Sequence, residues 1–167
     1  MLLLILLSGT AEAPTGPVIP RCPVVARLVD EGVVAPTQDR VVAACDAEEI
    51  LVGAGYRARE RVGALANAWH ESRWNPEAGA HNRAVGFWQL HEDGLGHGMT
   101  VAERENIDLA TGKVLDAYDP DERLSPRAPA SEHATQFCLE VMRPRDKRAR
   151  AIERARTAAR WARALAI

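Results

Sequence analysis

The sequence predicts a single, mainly α-helical domain with long irregular loops. The chain has 167 residues, of which 47% are hydrophobic and 26% charged, enough for one domain with a buried core and too apolar for a disordered chain. Apolar residues recur at helical spacing in short segments that turn signals separate. No segment of strand length alternates apolar and polar residues, so strands are expected to be few.

Helical patterns and their end signals place the elements along residues 21–145, the predicted domain. Asp46 with Glu49, and Thr100 with Glu103, have the spacing of a capping box at a helix start. The expected helices cover residues 24–29, a stretch from Thr37, a stretch from Asp46 to Gly53, residues 59–73, a helix from Thr100 through Ile107 to Tyr118, and the apolar stripe 134–142.

A long irregular segment follows the helix at residues 59–73. Asn75-Pro76 ends that helix, because the residue before a proline avoids the α region. Residues 75–98 are rich in Gly, Asn and His and contain the apolar island 85–90, which favours a small hairpin. Loops of this length in a compact domain are usually functional.

Residues 1–20 are expected to form a leader and a connector. Residues 1–7 are apolar, and Ala11-Glu12-Ala13 matches the A-x-A pattern of a signal-peptidase site. Two alternatives stay open here: cleavage on export, or an apolar N-terminus that packs on the domain. The run is too short to span a bilayer as a helix, and the prolines of residues 14–23 predict an extended connector.

Charge divides the chain into an acidic part and a basic tail. Residues 143–167 carry nine Lys/Arg and two Asp/Glu, a net +7, so residues 1–142 carry −9 of the total −2. Residues 146–167 are expected to form a basic helix that packs on the domain or extends from it. Its charged face is either solvated or in contact with an anionic wall polymer, lipid headgroups or nucleic acid. Trp161 is the only aromatic residue among its arginines, which argues against nucleic acid.

The three cysteines do not have the spacing of a metal site. Cys22 and Cys45 can form one disulfide in an oxidising compartment, which leaves Cys138 as a small core residue. Four histidines lie close to the candidate site in sequence without the i, i+4 pair of a zinc-binding helix, so neither a metal nor another cofactor is expected: His70, His81, His91 and His97. Residues 94–98 lack the Gly-Lys-Ser/Thr of a phosphate loop, which excludes a nucleotide.

Glu71 is the carboxylate with the most suggestive position. It lies in the last turn of a helix, where the partial negative charge raises the pKa of a carboxyl, and Trp69 and Trp74 add desolvation. An acid that is protonated near neutral pH is what protonation of a glycosidic oxygen requires. The alternative is a structural ion pair with Arg73 or Arg57.

The order of motifs resembles the lysozyme-like domain of soluble lytic transglycosylases. The matching segments are Glu71-Ser72-Arg-Trp-Asn75-Pro76-x-Ala78, then Val85-Gly-Phe-Trp-Gln-Leu90, then Asn106-Ile107. Residues 86–90, 94–99 and 137–144 are similar to the phage tail or virion-associated lysozyme branch. The resemblance covers about residues 60–145 and implies a fold of the goose-type lysozyme and lytic transglycosylase kind.

The resemblance implies roles for individual residues. Glu71 corresponds to the catalytic acid, Gln89 to a wall of the cleft, and Ser72, Asn75 and Asn106 to positions that shape or line the site. The late Ala-Tyr-Asn-Ala-Gly segment of many transglycosylases is absent. Three further residues in or next to the irregular segment are expected to bind substrate, the two tryptophans by stacking on a sugar ring: Trp74, Trp88 and His91.

A second carboxylate would separate two mechanisms. A lytic transglycosylase needs one Glu, because a hydroxyl of the substrate closes a 1,6-anhydro ring. An inverting hydrolase needs a base about 6.5–9.5 Å from the acid to activate water. Asp93, in the glycine-rich loop after Gln89, is the best candidate base, ahead of Glu92 and Asp108.

These patterns together predict a peptidoglycan muramidase that cleaves the β-1,4 bond between N-acetylmuramic acid and N-acetylglucosamine. Its expected partners are glycan strands and, in a virion, tail proteins, and the domain is expected to be a monomer. It would act at the bacterial cell wall, delivered in a virion or exported. The alternative is a non-catalytic virion or wall-binding protein that retains the lysozyme-like fold.

Overall fold

The computed structural model describes residues 21–79, 83–118, 124–142 and 146–167. The predicted leader and connector, residues 1–20, lie outside the described residues, as do His81 and Pro144. The mainly α class is confirmed. Seven α-helices, one π-helical turn and one two-stranded hairpin make up the described parts: α1 Pro23–Asp30, α2 Gln38–Gly53, α3 Ala58–Ser72, β1 Ala84–Val85, β2 Leu90–His91, α4 Val101–Glu105, α5 Ile107–Asp116, α6 Ala130–Phe137, the π-turn Cys138–Met142 and α7 Lys147–Ala164.

Two helix boundaries differ from those expected. Asp46 does not begin a helix, because the buried stripe Ala43, Ala44, Ala47 and Leu51 continues through it without a turn residue and makes α2 one helix. The predicted helix from Thr100 is divided at Asn106, whose extended backbone ends α4 and whose side chain accepts the Leu109 N–H of α5. The capping box of Thr100 and Glu103 is confirmed.

The hairpin expected within the irregular segment is confirmed. β1 and β2 pair antiparallel, with Ala84 opposite His91 and Val85 opposite Leu90. Residues 86–89 connect the two strands and are called the hairpin loop below. No helix within the described residues has both the length and the apolar character that crossing a membrane requires.

α3 is the central helix of the fold. Its residues 62–68 are all buried, and it packs against α6, α7, α2 and α1. A Cβ on Gly63 would lie 2.8 Å from the backbone nitrogen of Ala134, so the absence of a side chain permits the close crossing of α3 and α6. The buried Asn67 amide donates to the carbonyl oxygens of Gly63 and Ala134 and joins the same two helices.

Aromatic side chains bring α7 to the end of α3. The ring centroid of Trp161 lies 6.2 Å from that of Trp69 and 5.6 Å from that of Trp74, in tilted edge contacts. The basic helix is therefore packed on the domain through one face, while most of its arginines stay exposed.

The N-terminal end of α1 is fastened to α2 by a disulfide and a carboxylate. Cys22 is bonded to Cys45, a pairing that the cysteine positions allow, and Cys138 is free and buried, as expected. The fully buried Glu48 accepts the backbone N–H groups of Val24 and Val25 at 2.9–3.1 Å. These amides have no partner within the helix, so Glu48 takes the place of a local cap.

Glu48 also accepts from Arg61 Nε of α3 at 3.0 Å. Burial raises the pKa of Glu48, and the two N–H groups and Arg61 oppose that rise by stabilising the carboxylate. One buried side chain thus connects α1, α2 and α3.

We expect Glu48→Ala to lower the free energy of unfolding by about 3–5 kcal/mol, because it leaves Arg61 and two helix N–H groups without their acceptor. Urea denaturation measures the loss. The matched control is Glu49→Ala, at the adjacent and half-exposed position, where a change within about 0.5 kcal/mol is expected. Equal losses in the two variants would show that Glu48 has no special role.

Candidate active site

Glu71 lies in the last turn of α3, where the chain changes direction sharply. α3 ends at Ser72, and the next two residues, Arg73 and Trp74, have positive φ angles of 57° and 61°. Left-handed backbone at non-glycine residues costs about 1–3 kcal/mol each and tends to cluster at functional sites. The turn aims the following segment back toward the hairpin.

Hydrogen bonds join two of the three motif segments that the sequence singled out, residues 71–78 and 85–90. Ser72 Oγ donates to the carbonyl oxygen of Phe87 at 2.7 Å, and the Gly86 N–H donates to the Ala78 carbonyl at 2.8 Å. The side-chain amide of Gln89 donates to the carbonyls of Ala78 and Gly86, each at 2.9 Å. The end of α3, residues 75–79 and the hairpin loop therefore form one bonded unit.

The carboxyl group of Glu71 forms an ion pair with Arg154 of α7. The Glu71 side chain is 21% exposed and that of Arg154 only 3%. Burial raises the pKa of Glu71, and Arg154 followed by Arg150 oppose the rise. The expected direction of the pKa shift is confirmed, but the partner is neither Arg73 nor Arg57. Arg73 lies over the Trp69 ring instead, 5.2 Å from its centroid.

α7 also contacts the neighbouring His70. His70 Nε2 lies 2.8 Å from Thr157 Oγ1, and Nδ1 lies 3.7 Å from a carboxylate oxygen of Glu153. Burial lowers the pKa of His70, while Glu153 opposes that effect. The face of α7 that carries these residues therefore packs against the C-terminal end of α3.

An open cavity of about 540 Å³ lies beside the hairpin. It gathers four of the predicted site residues, and Glu71 is not among the residues that line it. The π-turn supplies a further wall. The lining residues that matter here are Trp88, whose side chain is buried in the wall, and Gln89, His91, Asp93, Glu140 and Met142.

The structure connects Glu71 to this cavity through Arg154. One terminal nitrogen of Arg154 contacts Glu71 and the other donates to Cys138 Sγ. Cys138 begins the π-turn whose residues Glu140 to Met142 line the cavity. π-turns inside helices are frequent at functional sites.

Asp93, the candidate base, is exposed and paired. Its side chain is 66% exposed and accepts from Arg83 Nη1 at 2.9 Å, and its N–H donates to His91 Nδ1 at 3.1 Å. Asp93 therefore lies at the cavity in a small polar network with Arg83 and His91. Its role as a base stays a prediction.

Glu140 and Arg154 were missed from the sequence. Glu140 lies within the apolar stripe 134–142, which hides a polar residue among core positions. Arg154 is one of nine Lys/Arg in the tail and carries no local signal of burial. Only the packing of α6 and α7 distinguishes these two residues.

The expectation that Trp74 and Trp88 stack on a sugar ring is wrong. Both side chains are fully buried. Trp74 Nε1 donates to the Leu65 carbonyl at 3.0 Å and Trp88 Nε1 to Thr111 Oγ1 at 2.8 Å. Large aromatic rings next to a polar loop fill the core beneath that loop, because their burial removes far more apolar surface than stacking at its rim.

The remaining predicted residues have backbone partners. Asn75 Oδ1 accepts the Glu77 N–H at 3.1 Å, a local turn that shapes the segment after α3. Asn106 caps α5 and stands exposed, and Ser72 holds the hairpin loop. These contacts agree with a shaping role, and direct contact with substrate stays a prediction for all three.

No three His, Cys, Asp or Glu side chains in the described parts of the chain come together in an arrangement suited to a metal ion.

No family model, curated protein or solved structure matches the chain. The site is therefore interpreted from its own side chains.

The hairpin loop depends on Gly86, which has a φ angle of 83°. A Cβ at this position would overlap the carbonyl oxygen of Arg104. Gly98 has a similar φ angle of 79°, but a Cβ there would meet no atom within 4 Å, so Gly98 is a control for the backbone strain alone.

We expect Gly86→Ala to destabilise the protein by about 1–3 kcal/mol more than Gly98→Ala, because only the first change adds a clash to the strain. Thermal and urea unfolding of both variants measure the difference. Equal destabilisation would mean that the loop moves away from α4 without cost.

Proposed function

We propose that this chain is a peptidoglycan-degrading muramidase of the goose-type lysozyme and lytic transglycosylase kind, with Glu71 as its general acid. The observation that carries the proposal is the hydrogen-bonded unit around Glu71. Two of the three segments whose order resembles the family, residues 71–78 and 85–90, are hydrogen-bonded to each other at the end of α3, next to an acid whose pKa is raised by burial.

The chemistry asked of Glu71 is proton donation to the leaving glycosidic oxygen. A raised pKa increases the fraction of the carboxyl that carries a proton at a given pH, which favours proton donation. About a fifth of the Glu71 side chain, 21%, is exposed, so the side chain is not fully enclosed by the protein. The cavity beside the hairpin offers Gln89, His91 and Asp93 as polar partners for a sugar.

The reaction needs no cofactor, and the partners are the glycan strands of the cell wall. The disulfide between Cys22 and Cys45 favours work outside the reducing cytosol. Export and delivery in a virion both satisfy this, with tail proteins as partners in the second case.

A second candidate function is supported by the ion pair itself. Arg154 favours the ionised form of Glu71, which cannot donate a proton, and the two tryptophans expected to hold sugars are buried. A non-catalytic virion or wall-binding protein of lysozyme-like fold has these properties. It would bind peptidoglycan and release no fragments.

We expect Glu71→Gln to keep the fold and to lose a factor of about 10²–10⁴ in turnover, because the amide accepts from Arg154 but has no acidic proton to give. Release of soluble muropeptides from purified peptidoglycan is the measurement, with circular dichroism to verify folding. Glu77→Gln, an exposed carboxylate beyond the turn, is the matched control.

Two outcomes would remove the catalytic assignment. Release by Glu71→Gln at the wild-type rate would exclude Glu71 as the acid. Sedimentation of the wild type with peptidoglycan, without any released fragment, would select the non-catalytic function.

The chemical structure of the released fragments shows whether water or a hydroxyl of the substrate completes the cleavage after Glu71 has donated its proton. We expect fragments with reducing ends, and a loss of about 10² in turnover for Asp93→Asn, because Asp93 lies at the cavity where water would be activated. Mass spectrometry of the digest separates these fragments from 1,6-anhydro products, which are lighter by one water.

Glu140→Gln is the comparison variant, since Glu140 lines the same cavity. A loss confined to Glu140→Gln would move the base to that residue. Anhydro products from an active Asp93→Asn variant would make the enzyme a transglycosylase and leave Glu71 as the acid.

A further inference from the structure

One face of the C-terminal basic helix α7 makes a continuous set of contacts with the end of α3. Glu153 and Thr157 contact His70, Arg154 contacts Glu71, and Trp161 packs against Trp74 of the turn. These α7 residues follow one another at helical spacing, which places them on one side of the helix. The candidate acid is thus covered by an element that lies outside the motif-bearing segments.

Arg154 is the centre of this contact. It is almost fully buried, and burial of a guanidinium is costly unless a carboxylate and further acceptors meet it. Glu71 supplies the carboxylate and Cys138 the second acceptor. The Nε of Arg154 has no hydrogen-bond partner among the described residues. The ion pair with Glu71 is therefore the main interaction that offsets the cost of burying the guanidinium.

We propose that Arg154 is a positioning residue of the candidate active site. It holds the Glu71 carboxyl in one orientation and sets how readily that group gives up and takes back a proton. In this proposal α7 contributes a residue to the candidate active site, in addition to its solvated charged face. The inference rests on the function proposed above.

The physical reason is the double task of a general acid. A carboxyl in an apolar environment keeps its proton too firmly, and catalysis is most effective when its pKa is near the working pH. An opposite charge in contact lowers a carboxyl pKa by about 1–3 units. Arg154 thus offsets the effect of burial.

The other groups around Glu71 do not supply this charge. Arg150, also on α7, acts on Glu71 more weakly than Arg154 does. Burial raises the pKa of the Cys138 thiol and lowers that of His70, so both are neutral near pH 7. The charge that balances the burial of Glu71 therefore comes from α7.

The test compares three substitutions in the full chain. Arg154→Gln removes the charge and keeps a polar group, and Arg154→Lys keeps a charge without the planar fork of arginine. Arg156→Gln is the matched control, since Arg156 is exposed on the same helix and loses the same charge. Arg154→Met, which tolerates burial better, replaces Arg154→Gln if that variant does not fold.

Two readouts are used: the pH profile of muropeptide release, and titration of the Glu71 carboxyl by carbon-13 NMR. Arg154→Gln is expected to raise the Glu71 pKa by about 1 unit or more and to move the alkaline limb of the profile upward equally. Arg154→Lys should leave the limb near its wild-type position with a lower rate. Arg156→Gln should move neither, because its charge is screened by solvent.

The two proposals fail in different ways. Glu71-dependent release whose alkaline limb is the same in Arg154→Gln and Arg156→Gln would overturn the role of Arg154 and leave the muramidase intact. Absence of release from the wild type would overturn the muramidase, and with it the catalytic role of Arg154. In that case an NMR shift in Arg154→Gln would identify the contact as a structural ion pair.

Discussion

The burial of α3 is the constraint on which the rest of the structure depends. None of its residues is exposed, and a helix enclosed in this way needs small residues where its neighbours cross and internal partners for its polar groups. Gly63 permits the crossing with α6, and Asn67 bonds to that helix. The burial of α3 continues to its last turn, so Glu71 is partly buried by neighbouring helices and not by residues of its own segment.

Two buried carboxylates then help to fix the positions of α1 and α7 relative to the rest of the fold. Glu48 accepts the N–H groups at the start of α1 and the guanidinium of Arg61, and Glu71 receives Arg154 from α7. In each pair the cation comes from a different helix, so loss of one partner leaves a charge in the interior, which costs several kcal/mol, about 3–5 in typical cases. The same physics that joins the helices also controls the protonation of the candidate acid.

Local signals identified most of the elements and failed where the tertiary environment competes with them. The helix at residues 59–73, the capping box at Thr100 and the hairpin follow from patterns only a few residues long. Asp46 has the spacing of a helix start, but an uninterrupted buried stripe makes it an interior residue of α2. Trp74 and Trp88 lie in polar loops by sequence, yet their rings fill the core beneath those loops.

The sequence by itself determined the helical class and the position of Glu71 at a helix end, because periodicity and stop signals are local properties. Tertiary structure alone decided what surrounds that carboxyl. The partner of Glu71 stands 83 positions away in a tail rich in similar arginines, and nothing local distinguishes the buried one. Burial and charge pairing arise from the packing of distant segments, so the environment of Glu71 is decided by where α7 packs.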